Sequence, residues 1–174
     1  MTEHIYLTSC NEQRDKVEVI QWITQQYGFD PAEVSLWVTH LHFNWPLSVK
    51  ATDPQGATVG YLNMSDYRIE EETEYIVEQA PRLLQRLNAY RYTAVFSFIV
   101  APPYRGTDLN YRMIQHIMPQ LRQYDFIFIP VMHHLHTHQY WKRWGALEFF
   151  RDPNCVYYLL PFNPDVKALL VSEP

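Results

Sequence analysis

At 174 residues the chain has the length of one domain, and 47% hydrophobic against 19% charged residues is enough apolar content to bury a core. Fourteen Lys and Arg set against nineteen Asp and Glu leave a net charge of −5, which speaks against a nucleic-acid-binding face. The five glycines cannot be arranged into a dinucleotide or phosphate loop, the two cysteines are far apart, and no run approaches the roughly 18 apolar residues of a membrane span.

Residues 4–8 read as a short strand. Ser9 and Glu12 then have capping-box spacing, Val17, Ile20, Ile23 and Tyr27 recur at helical intervals, and Gly28 supplies a stop. Asp30-Pro31 with Glu33 opens a second helix with Val34, Trp37, Val38 and Leu41 on its apolar face. Leu47–Thr52 and Thr58–Met64 flank Asp53-Pro54-Gln55-Gly56, a hairpin turn. Residues 70–90 begin with Glu70, Glu71, Glu72 and Glu74 and end in arginines, matching a helix dipole, and Pro81 divides them into two helical pieces.

Residues 92–100 (YTAVFSFIV) are too continuously apolar for a one-sided strand and predict a central one covered on both faces. A turn at 101–106 leads to a helix over 108–123, with Leu109, Met113, Ile117 and Leu121 on one face and Pro119 in its last turn. A strand over 125–132, a helix over 137–144 and strands over 146–151 and 155–160 follow, and the tail after Pro161 reads as peripheral. No repeat, linker or low-complexity stretch interrupts this order. The expectation is a single α/β domain over residues 1–174, cytoplasmic and without a signal peptide.

The junction Ile99-Val100-Ala101-Pro102-Pro103-Tyr104-Arg105-Gly106 runs from a buried strand into a helix start, where unpaired N–H groups and a partial positive charge suit a phosphate. Here the sequence resembles the GNAT superfamily of acyl-CoA-dependent N-acyltransferases. In that family a strand ending in Val-x-Pro-x-aromatic-Arg-Gly leads into the pyrophosphate loop, and Tyr140-Trp141-Lys142-Arg143-Trp144-Gly145-Ala146 is similar to a later helix of the family. The resemblance implies a mixed, mostly antiparallel sheet flanked by helices and splayed between its fourth and fifth strands. It also implies acetyl-CoA or another acyl-CoA as co-substrate and a small-molecule or peptide amine as acceptor. No metal, nucleic acid or membrane is expected, and the aromatic content of 16% admits a homodimer.

By the same resemblance Ile99, Val100, Arg105, Gly106, Thr107, Asp108, Leu109 and Asn110 would hold the cofactor, with Val100 polarising the thioester. The chain departs from the family where small residues belong, at Asp108 and Asn110. A carboxylate there repels a pyrophosphate by roughly 4 kcal/mol at an effective dielectric of 20 and 4 Å. Two readings stay open: a working loop despite Asp108, or a helix capped by Asp108 or Thr107. Trp141 stands where the family's acid tyrosine belongs, which leaves Tyr140 as the acid or as part of an aromatic face.

Strand 93–100 has no carboxylate, so the base must come from His40, His42, Asp66 or Tyr67, with His42 preferred. His42-Phe43-Asn44-Trp45-Pro46 is similar to a stretch of the toxin-activating lysine acyltransferases, in which the histidine is catalytic and acyl carrier protein is the donor. A catalytically degenerate binding module is a further alternative. His133, His134, His136 and His138 admit three readings: loop or cap residues, a cofactor contact at His134, or a metal site.

Overall fold

The computed structural model describes residues 4–40 and 43–172. The elements follow in the order β1 (Tyr6–Ser9), α1 (Glu12–Tyr27), α2 (Pro31–His40), β2 (Val49–Thr52), β3 (Thr58–Ser65), α3 (Ile69–Glu72), α4 (Glu74–Gln79), α5 (Pro81–Leu87) and β4 (Tyr92–Val100). Then come α6 (Leu109–Leu121), β5 (Phe126–Met132), α7 (His138–Arg143), β6 (Leu147–Arg151), β7 (Cys155–Pro161) and α8 (Pro164–Ser172). The strands form a seven-stranded sheet in the order β1-β2-β3-β4-β5-β7-β6. The β4–β5 pair is parallel, and β1–β2, β2–β3, β5–β7 and β6–β7 are antiparallel. Among the described residues no helix is long and apolar enough to cross a membrane.

The chain forms two compact units, residues 1–66 with 96–120 and residues 67–95 with 121–174. In the first, Tyr61 of β3 turns toward α1, edge-to-face with Trp22 at 5.6 Å and hydrogen-bonded to Glu18. It joins Val19 and Ile23 of α1, Val34 and Val38 of α2, Phe43 and Ile99 in one core cluster. The neighbouring Gly60 faces the opposite way, and a Cβ there would lie 3.1 Å from the Ile99 carbonyl and 3.5 Å from the Met113 sulfur. Because successive strand residues alternate faces, α1 and α2 cover one side of β3 and α6 the other. Gly60 is therefore a close-approach residue.

The first cap differs from expectation. Asn11, not Ser9, caps α1: its side chain accepts from the Arg14 N–H, and its own N–H donates to Asp15. The buried face of α1 is Asp15, Val19 and Ile23, whereas Val17 is 70% exposed. The rotation follows from Asp15, whose fully buried carboxylate receives Arg14 at 2.7 Å and Lys50 of β2 at 3.3 Å. Gly28 ends α1 at φ +72° as predicted, and Asp30 caps α2 through the Ala32 N–H. Leu41, assigned to the apolar face of α2, lies outside the described residues.

In the second unit, β5 is flanked by β7 through a register running from Phe126↔Pro161 to Met132↔Cys155. Its aromatic side chains stack, Tyr92 on Phe126 at 4.7 Å and Phe128 on Tyr157 at 5.7 Å. Two expectations are corrected here. The acidic segment forms three helices rather than two, because Thr73 breaks it before Pro81 does, with an extended backbone at φ −152°. The tail after Pro161 is not peripheral: it folds as α8 and buries Val166 and Leu169. β4 pairs with β5 from Tyr92↔Phe126 to Ala94↔Phe128.

Candidate functional site

The end of β4 is tied down before it turns. The Ala101 N–H donates to the Val59 carbonyl, Pro102–Tyr104 wind one 3-10 turn, and Gly106 takes φ +76°, a left-handed conformation that disfavours any side chain. Thr107 then resolves the capping question. Its hydroxyl donates to the Tyr104 carbonyl at 2.6 Å and accepts from the Leu109 N–H at 3.3 Å. The Asp108 carbonyl accepts the first backbone bond of α6, from Arg112, while its carboxylate is exposed and caps nothing.

Among the described residues the N–H groups of Gly106, Asp108 and Asn110 have no protein acceptor. A helix start with such donors attracts anions. The Asp108 carboxylate weakens that attraction less than an interior charge would, because exposure brings the repulsion at 4 Å down toward about 1 kcal/mol. The side chain of Leu109 is fully buried, so only its backbone borders the loop.

Arg105 is held rather than free. Its Nε donates to the Val100 carbonyl at 3.0 Å, and its terminal nitrogen donates to Gln26 of α1 at 3.1 Å. Gln26, Trp22, Ile99, Val100 and Arg105 border a cavity of about 260 Å³ at the end of β4. Gln26 and Trp22 were not singled out from sequence. Both sit within a helix read only for its apolar rhythm, and nothing local signals that α1 reaches this strand end.

In the second unit Tyr140 lies on α7 with its hydroxyl oxygen buried and its ring edge-to-face with Trp141 at 5.3 Å and Trp144 at 6.4 Å. Trp141 is buried at 4% exposure. Gly145 ends the helix at φ +91°, its N–H reaching the Lys142 carbonyl and the Ala146 N–H that of Trp141, a Schellman pair.

His133 Nε2 meets the Asp152 carbonyl at 2.8 Å. His138 Nε2 meets the Met132 carbonyl at 3.1 Å, and its Nδ1 meets the Tyr158 hydroxyl. A carbonyl only accepts, so the protein-facing Nε2 carries the proton in both rings. His134 and His136 are exposed. Among the described residues no three His, Cys, Asp or Glu side chains come together as metal ligands.

The remaining base candidates differ in burial and partners. Asp66 accepts from the Asn44 side chain at 2.8 Å and is exposed, as is His40. Tyr67 is fully buried, and its hydroxyl proton is held firmly by burial and by the Glu72 carboxylate. His42 lies outside the described residues. Asn44, in the stretch that resembles the toxin-activating enzymes, caps the short turn Trp45–Leu47 by accepting from the Leu47 N–H.

No protein-family model matches the sequence, and no curated protein does. Solved structures do resemble the fold. A GNAT family acetyltransferase from Brucella melitensis, solved with acetyl-CoA, aligns at TM-score 0.59 and 15% identity over 92% of this chain and 90% of that one. The ribosomal-protein-S18-alanine N-acetyltransferase of Escherichia coli aligns at 0.59 and 9% identity, over 91% and 94%. Naa50 of Arabidopsis thaliana, in complex with a bisubstrate analogue, aligns at 0.58 and 11% identity, over 89% and 96%. The fold is therefore that of the GNAT acyltransferases, as the strand-end and helix motifs led one to expect.

Proposed function

We propose that this protein is an N-acyltransferase that takes an acyl group, acetyl foremost, from an acyl-CoA and passes it to a primary amine by direct attack. The observation that carries this reading is the junction of β4 and α6. A left-handed Gly106, a cap supplied by Thr107 and three N–H groups without protein acceptors make an anion seat that Asp108 borders but does not plug. Acetyl-CoA in the Brucella structure and the bisubstrate analogue on Naa50 support the same donor here. In this reading the backbone of residues 106–110 and Arg105 hold the diphosphate, and Ile99 and Val100 lie along the donor, with Val100 polarising its thioester. Tyr140 protonates the departing thiolate, His42 accepts the amine proton, and His134 is a further donor contact. The acceptor is a small-molecule or peptide amine, and the reaction is cytoplasmic.

A second reading is a binding module that keeps the fold without turnover. The buried hydroxyl of Tyr140 and its packing between two tryptophans favour it. Thiol release from acetyl-CoA in the presence of a panel of primary amines separates the two. The transferase reading expects amine-dependent release that falls about a hundredfold in Tyr140→Phe. No release with any amine supports the binding module, and a Tyr140→Phe rate within about twofold of the parent removes Tyr140 as the acid.

A further inference from the structure

Tyr27 is the last residue of α1, and Gly28 turns the chain away from it at φ +72°. Its ring is half-buried, tilted on Phe29 at 5.9 Å and packed against the core cluster that contains Ile99 of β4. The hydroxyl oxygen receives a hydrogen bond from the Phe98 N–H of the same strand. A strand amide given to a side chain is unusual, because amides within a sheet pair with the next strand. The function proposed above leaves this hydroxyl without a task.

The neighbours of the strand end fix the direction of each amide. The Ala101 N–H donates to the Val59 carbonyl of β3 at 2.9 Å, and the Ile99 carbonyl lies over Gly60 of β3, 3.1 Å from where a Cβ would stand. A trans peptide points its C=O and N–H in opposite directions, and a strand repeats every two residues. The N–H groups of Phe98 and Val100 therefore face the side away from β3. The Val100 carbonyl agrees, since it accepts there from Arg105 at 3.0 Å. Tyr27 thus holds its hydroxyl on the edge of β4 that presents the Val100 N–H, one strand repeat back, roughly 7 Å along the chain.

A phenol has one proton to give, and that of Tyr27 has no protein acceptor among the described residues. Burial pushes the phenol up by more than the Phe98 N–H brings it down, so at neutral pH it keeps the proton and acts as a donor. We propose that the Tyr27 hydroxyl is a second donor to the acyl oxygen, beside the Val100 N–H, an assignment that rests on the transferase reading given above. Two N–H···O bonds of about 2.9 Å and one O–H···O bond of about 2.7 Å are together long enough to bridge a gap of roughly 7 Å. Negative charge developing on that oxygen then meets two fixed dipoles, and the Phe98 N–H polarises the phenol that supplies one of them. No proton changes hands in this role, so it is compatible with Tyr140 as the acid and His42 as the base.

Tyr27→Phe keeps the ring and removes only the hydroxyl. The infrared carbonyl band of isotope-labelled acetyl-CoA, read on the parent and on Tyr27→Phe, tests the assignment without turnover. Binding to the parent is expected to lower the band, and about half of that shift is expected to be lost in the variant. Free coenzyme A, which has no acyl oxygen, is expected to bind both proteins alike, within about twofold. With any amine that supports thiol release, kcat is expected to fall about a hundredfold while KM for acetyl-CoA stays nearly the same. A band at one position in both proteins, or a kcat within about twofold of the parent, overturns the proposal and leaves the transferase reading in place. Loss of free coenzyme A binding in Tyr27→Phe also overturns it, by making Tyr27 a residue of the fold alone. Absence of any bound acetyl-CoA band in the parent overturns both.

Discussion

Asp15 carries more of the fold than its place in the sequence suggests. Its carboxylate has no solvent exposure and is held by the Asn11 N–H at 2.8 Å, by Arg14 and by Lys50. Desolvation alone would raise its pKa, yet the Arg14, Asn11 and Lys50 hydrogen bonds prevail and hold it below the ordinary carboxylate value. A folded-state value below the unfolded one means that the stabilisation is complete above the unfolded value. It disappears as pH falls through the folded value. Asp15→Ala is therefore expected to cost about 3 kcal/mol at neutral pH, and the difference from the parent should shrink in acid, where the parent loses the same charge. Urea denaturation of both proteins across the acid range checks it. Helical periodicity alone put Val17, Ile20, Ile23 and Tyr27 on the buried face. The lysine that turns the helix comes from β2, thirty-five residues away, and no local pattern carries that information.

Elements defined by their own local chemistry were legible in the sequence. The Asp53–Gly56 turn is one, with Gly56 at φ +84° and Asp53 accepting from the Gln55 and Ala57 N–H groups. Strand β4 is another, and its bounds match the expected 92–100. The elements missed were those whose burial depends on a distant partner. α8 is the clearest, because Val166 and Leu169 look like tail residues until β7 is beside them. Leu169→Ala is expected to destabilise by about 2–4 kcal/mol, while Val171→Ala, at 75% exposure, should stay within about 0.5 kcal/mol. Thermal unfolding of the pair decides the matter, and equal effects would return α8 to the status of a peripheral tail. Thr73 was missed for another reason: a four-glutamate run reads as one helix start, and a threonine does not announce a break as Pro81 does.

For the molecule as a whole, the strand-end and helix motifs brought the GNAT fold into view, and solved structures at 9–15% identity share it. The cofactor-loop half of the candidate site was legible because Ile99–Asn110 is contiguous, so its strand end, glycine and cap can be read in a row. The partners that hold Arg105 and border the strand end, Gln26 and Trp22, were not, since they arrive from α1. The departures at Asp108 and Asn110 left two readings open, a working loop or a capped helix start; Thr107 supplies the cap, and the N–H groups of Gly106, Asp108 and Asn110 keep no protein acceptor among the described residues. The central claim is that this loop receives a coenzyme A diphosphate. Calorimetric titration of the parent and Asp108→Gly with acetyl-CoA and with free coenzyme A tests it directly. The account predicts micromolar binding by the parent and a gain of about fivefold in Asp108→Gly, the value of one exposed like charge. Absence of binding by the parent, whether or not the glycine variant binds, would contradict it.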